Sequence, residues 1–382
     1  MKLALLTTDN REEYREYDNA IPWFGTAPEA LLQGFARLAE VEIHVVSCTQ
    51  SPLKSPPKLA ENIFFHSLYV PKIGWMRTAY QGCIRATRAK LKEIKPDLVH
   101  GQGTERNCAI SAVFSGFPNV VTVHGNMAAL SRHLRAPAGS AVWLAGQLEK
   151  FTLARTQGVF CNSAYTEELV RQRNSRVWRV PNALRTAFFA PIPERTKKAT
   201  VRFVNVGVIS PRKRQVELLA LFKRLHQNGR ALHIEFIGHV DAKDPYGRKF
   251  LDEIRDANLS GYASYAGSLK TENLIAALDR AESCVHFPSE EAFGLIVAEA
   301  MARNLKFFGS KVGGIIDISE GVKGAELFPP DDWTSLEQTL ARWMDADCPR
   351  YSNGAETMHR RYHPRVICEK HLEIYGEVIA MR

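Results

Sequence analysis

The most informative stretch of this 382-residue sequence is Pro288-Ser289-Glu290-Glu291-Ala292-Phe293-Gly294-Leu295-Ile296-Val297-Ala298-Glu299-Ala300. It places two carboxylates, Glu291 and Glu299, eight residues apart across a glycine-containing turn into an apolar helix. With Glu291 at the helix entrance, a rise of ~1.5 Å per residue predicts a separation of roughly 12 Å along the helix axis. The backbone N–H groups of Phe293, Gly294 and Leu295 then lie at the positive end of the helix dipole, where they can bind a diphosphate.

Only one of the two carboxylates is readily explained without a ligand. An acid in the first turn of a helix is favourable by itself, which accounts for Glu290 or Glu291. Glu299 lies inside an apolar run, where burial of an unpaired charge is costly. The separation approximates the distance between the two sugar rings of a nucleotide-sugar, so the pair indicates a ligand of that kind.

Composition and length indicate a globular protein of two or three domains, with 45% hydrophobic and 24% charged residues. The N-terminus reaches Asp9 too early for a signal peptide, and no stretch approaches the ~20 apolar residues of a membrane span. We therefore expect a cytoplasmic protein. The seven cysteines include no C-x-x-C pair and no zinc-type Cys/His spacing, which indicates buried thiols.

The net charge of +9 is unevenly distributed along the chain. Residues 1–190 contain 23 Lys and Arg against 15 Asp and Glu, whereas residues 191–382 contain 27 against 26. Nine bases and two acids fall within residues 54–95, in a basic helical pattern that could contact an anionic membrane peripherally, at its inner face. A solvated helix face explains this segment equally well. No nucleic-acid-binding motif accompanies it, so we expect no nucleic-acid partner.

Short apolar runs alternate with amphipathic stretches in both halves of the chain, a rhythm typical of parallel sheets covered by helices. Two such series predict an α/β protein with two Rossmann-like domains. The best linker candidate is Ala190–Arg195, followed by Lys197-Lys198. Sites in such folds collect at the carboxyl ends of strands, and His124 and the loop Gly207–Lys213 both follow predicted strands.

Taken together, these loops resemble the retaining glycosyltransferases of family 4, over essentially the whole chain. The most specific match is P-S-x-E-x-F-G-x-x-x-x-E-A-M-A, which spans residues 288–302; weaker matches are Val121-Thr122-Val123-His124-Gly125, Val180-Pro181-Asn182 and Ser210-Pro211-Arg212-Lys213. The resemblance implies the GT-B fold, in which two Rossmann-like domains with parallel sheets face each other across a cleft. It implies an acceptor-binding domain at 1–188, completed by a crossover helix at 364–382, and a donor-binding domain at 189–363.

The resemblance also implies a role for each matching residue. Glu299 would bind the ribose hydroxyls, and Glu291 would bind hydroxyls of the donor sugar. Lys213, with Arg212, would neutralise the diphosphate, and His124 would lie beside the anomeric carbon. Further donor-side residues are Gly207, Phe293, Gly294 and Leu295, and the acceptor-side residues are Gly25 and Thr26. Because helix N-termini and cations can stabilise the charge on the diphosphate without a metal, we expect neither an essential metal nor a cofactor.

The implied reaction is the transfer of a hexose from a UDP- or GDP-sugar to a hydroxyl of a glycan, lipid-linked or small-molecule acceptor, with retention of configuration. Family members are usually thought to use front-face attack, and no residue here stands out as a nucleophile. The sequence departs from the family pattern at several positions. Val208 replaces an arginine that grips the diphosphate, Arg214 replaces a glycine, and Asp317 replaces a glutamate.

Three other functions remain open at this stage. A nucleotide-sugar epimerase or phosphorylase could use the same fold, and Val208 is compatible with a catalytically silent sugar-nucleotide binder. A nicotinamide-dependent oxidoreductase is suggested by Gly101-Gln102-Gly103, but the fingerprint has Arg106 in place of its third glycine.

Overall fold

The computed structural model describes residues 1–194 and 199–381. The chain forms two compact units, which are Met1–Arg185 together with Tyr362–Arg382, and Thr186–Arg361. Each unit is built around one sheet whose strands are mostly buried, as parallel strands covered by helices on both faces must be.

The described part of the first unit contains an eight-stranded sheet of order β3-β4-β2-β1-β5-β6-β7-β8, parallel except for the antiparallel edge pair β3 and β4. Its strands are β1 (Lys2–Leu6), β2 (Glu42–Thr49), β3 (Lys58–Ala60), β4 (Ile63–Tyr69), β5 (Leu98–Gln102), β6 (Asn119–Val123), β7 (Val159–Cys161) and β8 (Val177–Arg179). Its helices are α1 (Asn10–Tyr14), α2 (Thr26–Phe35), α3 (Gln81–Ile94), α4 (Asn107–Val113), α5 (Met127–His133), α6 (Ala141–Leu153) and α7 (Ala164–Arg171).

The second unit contains, among its described residues, a six-stranded parallel sheet of order β11-β10-β9-β12-β13-β14. Its strands are β9 (Val201–Val206), β10 (Leu232–Ile237), β11 (Ala263–Tyr265), β12 (Ser283–His286), β13 (Lys306–Ser310) and β14 (Ala325–Phe328). Its helices are α8 (Gln215–Gln227), α9 (Pro245–Leu259), α10 (Thr271–Arg280), α11 (Leu295–Ala302), α12 (Gly313–Ser319), α13 (Trp333–Asp345) and α14 (Asn353–Tyr362).

The last helix, α15 (Pro364–Ala380), belongs to the first unit. It packs against α2, where the Cys368 thiol donates to the carbonyl oxygen of Leu31 at 3.3 Å. Its His371 and Tyr375 lie among buried aromatic rings of the sheet, with His371 stacked on Phe160 at 4.9 Å.

The second unit begins earlier than the linker candidate at 190–195. Arg303, which is 1% exposed, donates to the carbonyl oxygens of Phe188 at 3.3 Å, Ala190 at 2.6 Å and Pro191 at 3.1 Å. These bonds hold the start of the candidate linker on the second unit, so the boundary falls between Arg185 and Thr186. Residues 195–198 lie outside the described residues.

The basic segment at 54–95 is helical only in part. Residues 58–69 form the edge strands β3 and β4, and the longer helix of the segment begins at Gln81. The alternation of Ile63-Phe64-Phe65-His66 fits a strand, because alternate residues of a strand face opposite sides of the sheet. The basic helical pattern that the segment contains corresponds to α3, whereas β3 and β4 are strands that the sequence analysis did not identify.

Candidate active site

The candidate site of the second unit lies where the strand order reverses. β9 pairs with β10 on one side and with β12 on the other, so the loops after β9 and β12 emerge next to each other. Ligands of open α/β sheets bind at such switch points, outside the carboxyl ends of the strands. The structure thus brings together Gly207, Arg212, Lys213, Glu291 and the start of α11.

Two consecutive bases of the first loop face two consecutive acids of the second. Arg212 Nη1 contacts Glu290 Oε2 at 3.2 Å and the Glu290 carbonyl oxygen at 3.1 Å, and Lys213 Nζ pairs with Glu291 Oε2. The Ser289 N–H also donates to the carbonyl oxygen of Arg212 at 2.9 Å. The loops are therefore joined by charge pairs and by a backbone hydrogen bond.

Glu291 is the buried centre of this cluster, with 8% of its surface exposed. His286, at the end of β12, donates from Nε2 to Glu291 Oε2 at 3.2 Å. Burial opposes ionisation of Glu291, but Lys213 and His286 outweigh it and hold the pKa of the carboxyl well below its usual range. Burial lowers the pKa of His286, as does nearby Lys213, so the imidazole is neutral. Burial also lowers the pKa of Lys213, against the opposing influence of Glu291.

His286 is a residue that the sequence analysis missed. Its Nε2 holds the Glu291 carboxylate, while its buried Nδ1 has no hydrogen-bond partner among the residues the structure describes. A Cβ on Gly207 would lie 3.9 Å from His286 Cε1 and 4.0 Å from Lys213 Cδ, so the three residues are neighbours. A polar residue at the carboxyl end of the central strand β12 was the signal that could have found it.

The apolar helix α11 begins at Leu295, so Glu291 lies before the helix rather than at its entrance. Gly294 precedes the helix with φ +98°, a left-handed conformation that favours glycine, and no side chain caps the helix there. Glu299 lies in the second turn and is 5% exposed. The estimate of roughly 12 Å assumed helix from Glu291 onward, and that assumption is wrong because the helix begins at Leu295.

The neighbouring loop after β13 supports the segment that precedes this helix. The Gly314 N–H donates to the carbonyl oxygen of Glu291 at 3.1 Å. A Cβ on Gly314 would lie 2.6 Å from the backbone of Phe293, so only glycine permits the approach. Ser310 Oγ donates to the carbonyl oxygen of Pro288 at 2.7 Å. The segment that carries Glu291 is thus held by two other loops, those after β9 and β13.

The structure also explains one departure from the family pattern. Arg214, which stands where a glycine was expected, has φ +58° and adopts the left-handed conformation that a glycine would adopt with less strain. Its Nη2 pairs with Asp331 Oδ1 at 2.7 Å. Val208 is 55% exposed, and Arg212 is turned toward Glu290.

In the first unit, His124 begins a hydrogen-bonded chain that reaches α15. His124 Nε2 donates to Gln102 Oε1 at 2.9 Å, the Gln102 amide contacts His100 Nε2 at 3.1 Å, and His100 Nδ1 contacts the Tyr375 hydroxyl at 2.5 Å. Burial lowers the pKa of His124 to about 4 despite nearby Asn182. The neutral ring leaves the buried Nδ1 with a lone pair and, among the described residues, without an aligned donor.

Two carboxylates beside His124 were also missed. Glu105 Oε1 accepts the Gly125 N–H at 2.9 Å, and burial, assisted by Glu149, raises the pKa of Glu105 to about 7. Glu149 is 3% exposed and accepts the N–H groups of Met127 at 3.0 Å and Ala128 at 2.8 Å, at the start of α5. Both residues fix the loop after β6. Glu105 lies within the incomplete fingerprint at 101–106, where the sequence analysis gave it no role, and Glu149 lies in no motif that was singled out for chemistry.

The remaining predicted residues lie near these groups or apart from them. Phe293 is buried, and Leu295 opens α11 with a partly exposed side chain. Gly25 and Thr26 form the start of α2 in the first unit, with no side-chain cap. No group of three or more His, Cys, Asp or Glu side chains suited to a metal ion occurs in residues 1–194 and 199–381. Within the same ranges, every helix is too short or too polar to cross a membrane.

Comparison with known families gives two matches that adjoin each other. Residues 28–188 match the profile described as Glycosyltransferase Family 4. Residues 187–358 match the profile described as Glycosyl transferases group 1. Together the two profiles account for most of both units.

Among curated proteins, the chain is similar to glycogen synthase of Mycobacterium tuberculosis, with 21% identity over 244 residues, or 62% of this chain and 58% of that protein. It is also similar to the phosphatidylinositol N-acetylglucosaminyltransferase gpi3 subunit of Schizosaccharomyces pombe, with 28% identity over 240 residues, or 59% of this chain and 48% of that protein. The matched region thus spans only about half the length of these relatives.

Among solved structures, sucrose-phosphate synthase from Thermosynechococcus elongatus matches with a TM-score of 0.78 and 18% identity, over 100% of both chains. The Anabaena protein HepE in complex with UDP-glucose matches with a TM-score of 0.71 and 15% identity, over 99% of this chain and 100% of that one. At such low identity the likeness shows the fold alone. It confirms the predicted class of two Rossmann-like α/β domains.

Proposed function

Because the chain belongs to the glycosyltransferases of family 4, we propose that it is a retaining hexosyltransferase, which moves a hexose from a UDP- or GDP-sugar to an acceptor hydroxyl. The observation that carries the proposal is the buried cluster of Lys213, Glu291 and His286 at the switch point of the second sheet. The complexes of HepE with UDP and with UDP-glucose support a nucleotide-sugar as the donor.

In this proposal the cluster supplies the two opposite charges that the reaction needs, a carboxylate for the donor sugar and a cation for the diphosphate. Glu291 remains ionised, so both of its oxygens can accept hydrogen bonds from donor-sugar hydroxyls, and the His286 N–H fixes its orientation. Lys213 lies beside it as a fixed cation. When the bond to the anomeric carbon breaks, negative charge grows on the diphosphate, and a cation positioned in advance stabilises that charge.

The start of α11 supplies the second part of the diphosphate site. The first N–H groups of this apolar, buried helix lie at its N-terminal end, and no side chain caps them at Gly294. Glu299 in the next turn would accept the ribose hydroxyls. Since Lys213 and this helix end provide positive charge, we propose that turnover continues in the presence of EDTA.

His124 would contribute from the first unit as an acceptor of a sugar hydroxyl. Its Nε2–H is held by Gln102, so the lone pair of the neutral ring lies on Nδ1. A neutral ring can accept a hydroxyl proton in a hydrogen bond, which an imidazolium cannot. We propose no covalent nucleophile.

Binding of UDP and UDP-glucose to two variants tests the assignment of the carboxylates. Glu299→Ala should weaken both ligands alike, by about ten- to a hundredfold in Kd, because hydrogen bonds to a charged group contribute about 1.5–3 kcal/mol. Glu291→Gln should weaken UDP-glucose more than UDP. Glu290→Gln is the matched control, and removal of its pairing with Arg212 should change either Kd by less than about fivefold. If UDP-glucose is not the donor, GDP-mannose and GDP serve as the second pair.

Product analysis tests the reaction itself. Incubation with only the nucleotide-sugar that the protein is found to bind should give at most slow hydrolysis. Addition of an acceptor mixture should then give a glycoside of unchanged anomeric configuration. A changed free nucleotide-sugar would identify an epimerase instead. Unaltered affinity in both Glu291→Gln and Glu299→Ala would refute the assigned site.

A further inference from the structure

Outside the site described above, the first unit contains a cavity of about 390 Å³ between α5 and α6. We name it the α5–α6 pocket. Three cations, Arg132, Arg135 and Lys150, line it together with Trp143 and Gln147. No Asp or Glu is among its lining residues in the described part of the chain. Its volume lies within the range of roughly 300–1,000 Å³ that is common for small-molecule sites.

The three cations have no partners that would neutralise them. None of them forms an ion pair within 4 Å in the described ranges. The acid nearest in sequence is Glu149, whose oxygens already accept from Thr104 and from the first N–H groups of α5. Lys150 acts on Glu149 only through its field, which opposes the effect of burial on the Glu149 pKa.

Helix dipoles explain part of this arrangement. Arg132 lies in the last turn of α5 and Lys150 in the last turn of α6, where positive charge is favourable without any ligand. The dipoles do not explain why both face one concavity with Arg135. Arg135 lies beyond the end of α5 in the left-handed conformation, with φ +46°, and its N–H donates to the carbonyl oxygen of Arg132 at 3.0 Å.

The walls of the pocket are fixed by close packing. A Cβ on Gly146 would lie 3.2 Å from Ala128 Cα and 3.3 Å from Ser131 Cβ, so α5 and α6 touch at small residues. The pocket opens beside this contact, and Trp143 provides an aromatic wall. Like charges held close together repel each other, and an oxyanion placed between them removes the repulsion.

From this convergence of three cations, an amide and an indole, we infer that the α5–α6 pocket binds a phosphate group carried by a polyol. Arg and Lys bind phosphate oxygens through charge-assisted hydrogen bonds, and the indole face suits a sugar or glycerol moiety. A soluble sugar phosphate and a phospholipid headgroup share this chemistry. The inference does not depend on the identity of the donor, because no residue of the pocket belongs to the proposed donor site.

Two triple variants of the full chain test the inference. The pocket variant is Arg132→Gln, Arg135→Gln and Lys150→Gln. The control variant is Arg37→Gln, Arg176→Gln and Lys370→Gln, which removes the same charge from exposed positions of the first unit that lie outside the pocket and outside the basic segment 54–95. Thermal unfolding establishes that each variant is folded, and Arg135→Gln alone replaces the triple variant if that protein fails to fold.

The probes are inorganic phosphate, measured by titration calorimetry at low salt, and phosphatidylcholine vesicles with or without phosphatidylglycerol, measured by flotation. The pocket variant should lose at least about tenfold in affinity for phosphate if the ligand is soluble. If the ligand is a headgroup, the variant should lose roughly hundredfold in affinity for the anionic vesicles, since each cation near such a surface contributes about 1 kcal/mol. The control variant should retain wild-type binding. Phosphate binding without vesicle binding assigns a soluble ligand, and vesicle binding that depends on the pocket assigns a headgroup.

Three outcomes would overturn the inference. The first is full wild-type binding of both probes by the pocket variant, which would place the phosphate at another site, such as that of Lys213. The second is equal loss in the two triple variants, which would indicate charge alone. The third is the absence of phosphate and vesicle binding by the wild-type protein at low salt.

Discussion

The buried pair of Lys213 and Glu291 should have a large and pH-dependent effect on stability. The side chains are only 12% and 11% exposed, so Lys213→Met leaves a buried carboxylate whose remaining partner is the neutral His286. Removal of one partner of a buried pair typically costs about 3–5 kcal/mol. We expect a loss of that size in the unfolding free energy of the second unit at pH 7.5.

The sign of the pH dependence follows from Glu291. In the wild-type protein its folded-state pKa lies below the unfolded value of 4.5, so its stabilising contribution is present above that pH and is lost as pH falls through the folded-state pKa. In Lys213→Met, burial without a cation raises the folded-state pKa above the unfolded value. The variant should then lose stability as pH rises from about 4.5 toward neutrality.

Hydrogen–deuterium exchange of the β9 and β12 amides at pH 4.5 and 7.5 measures this effect within the second unit. The matched control is Lys213→Met/Glu291→Gln, in which the orphaned charge is gone and most of the stability at pH 7.5 should return. Equal losses at the two pH values, or a double variant as unstable as the sum of the single variants, would refute the reasoning.

The remaining predictions concern three other positions. Glu105→Gln should stabilise the first unit at pH 8 but not at pH 5, as measured by thermal unfolding. The folded-state pKa of Glu105 is about 7, so the wild-type protein becomes less stable as pH rises toward 7. Arg214→Gly should be about 1 kcal/mol more stable than Arg214→Ala, since only glycine relieves the strain at φ +58°, and equal stabilities would disprove this cause. Gly314→Ala should cost about 1–3 kcal/mol in chemical denaturation and weaken UDP-glucose binding. Its control, Gly376→Ala, adds a Cβ in open space on α15 and should be neutral or stabilising.

Some of the site was readable from sequence because its information is local. The alternation of apolar and amphipathic runs reflects backbone periodicity, so it predicted two parallel-sheet domains and placed the loops after β9 and β12 at strand ends. The spacing of Glu291 and Glu299 is equally local. The helix assumed between them begins only at Leu295, after the left-handed Gly294, and the loop of Gly314 packs against that segment.

Pairing of charges was not readable from sequence. The direction of Arg212 depends on Glu290, which is 78 positions away along the chain. His286 became part of the site only when β12 was placed beside β9. The start of the second unit likewise depends on Arg303, more than a hundred positions after the backbone that it holds.

The sequence by itself determined the fold class and the order of the strand-end loops, and it singled out the two carboxylates, because all three follow from short-range periodicity and spacing. Only the tertiary structure decided which charges are neutralised and which are not. It paired Lys213 with Glu291 in a buried site, and it collected Arg132, Arg135 and Lys150 around a cavity without an acid. The reason is physical: the energy of a charge depends on burial and on neighbours in space, and those neighbours are chosen by packing.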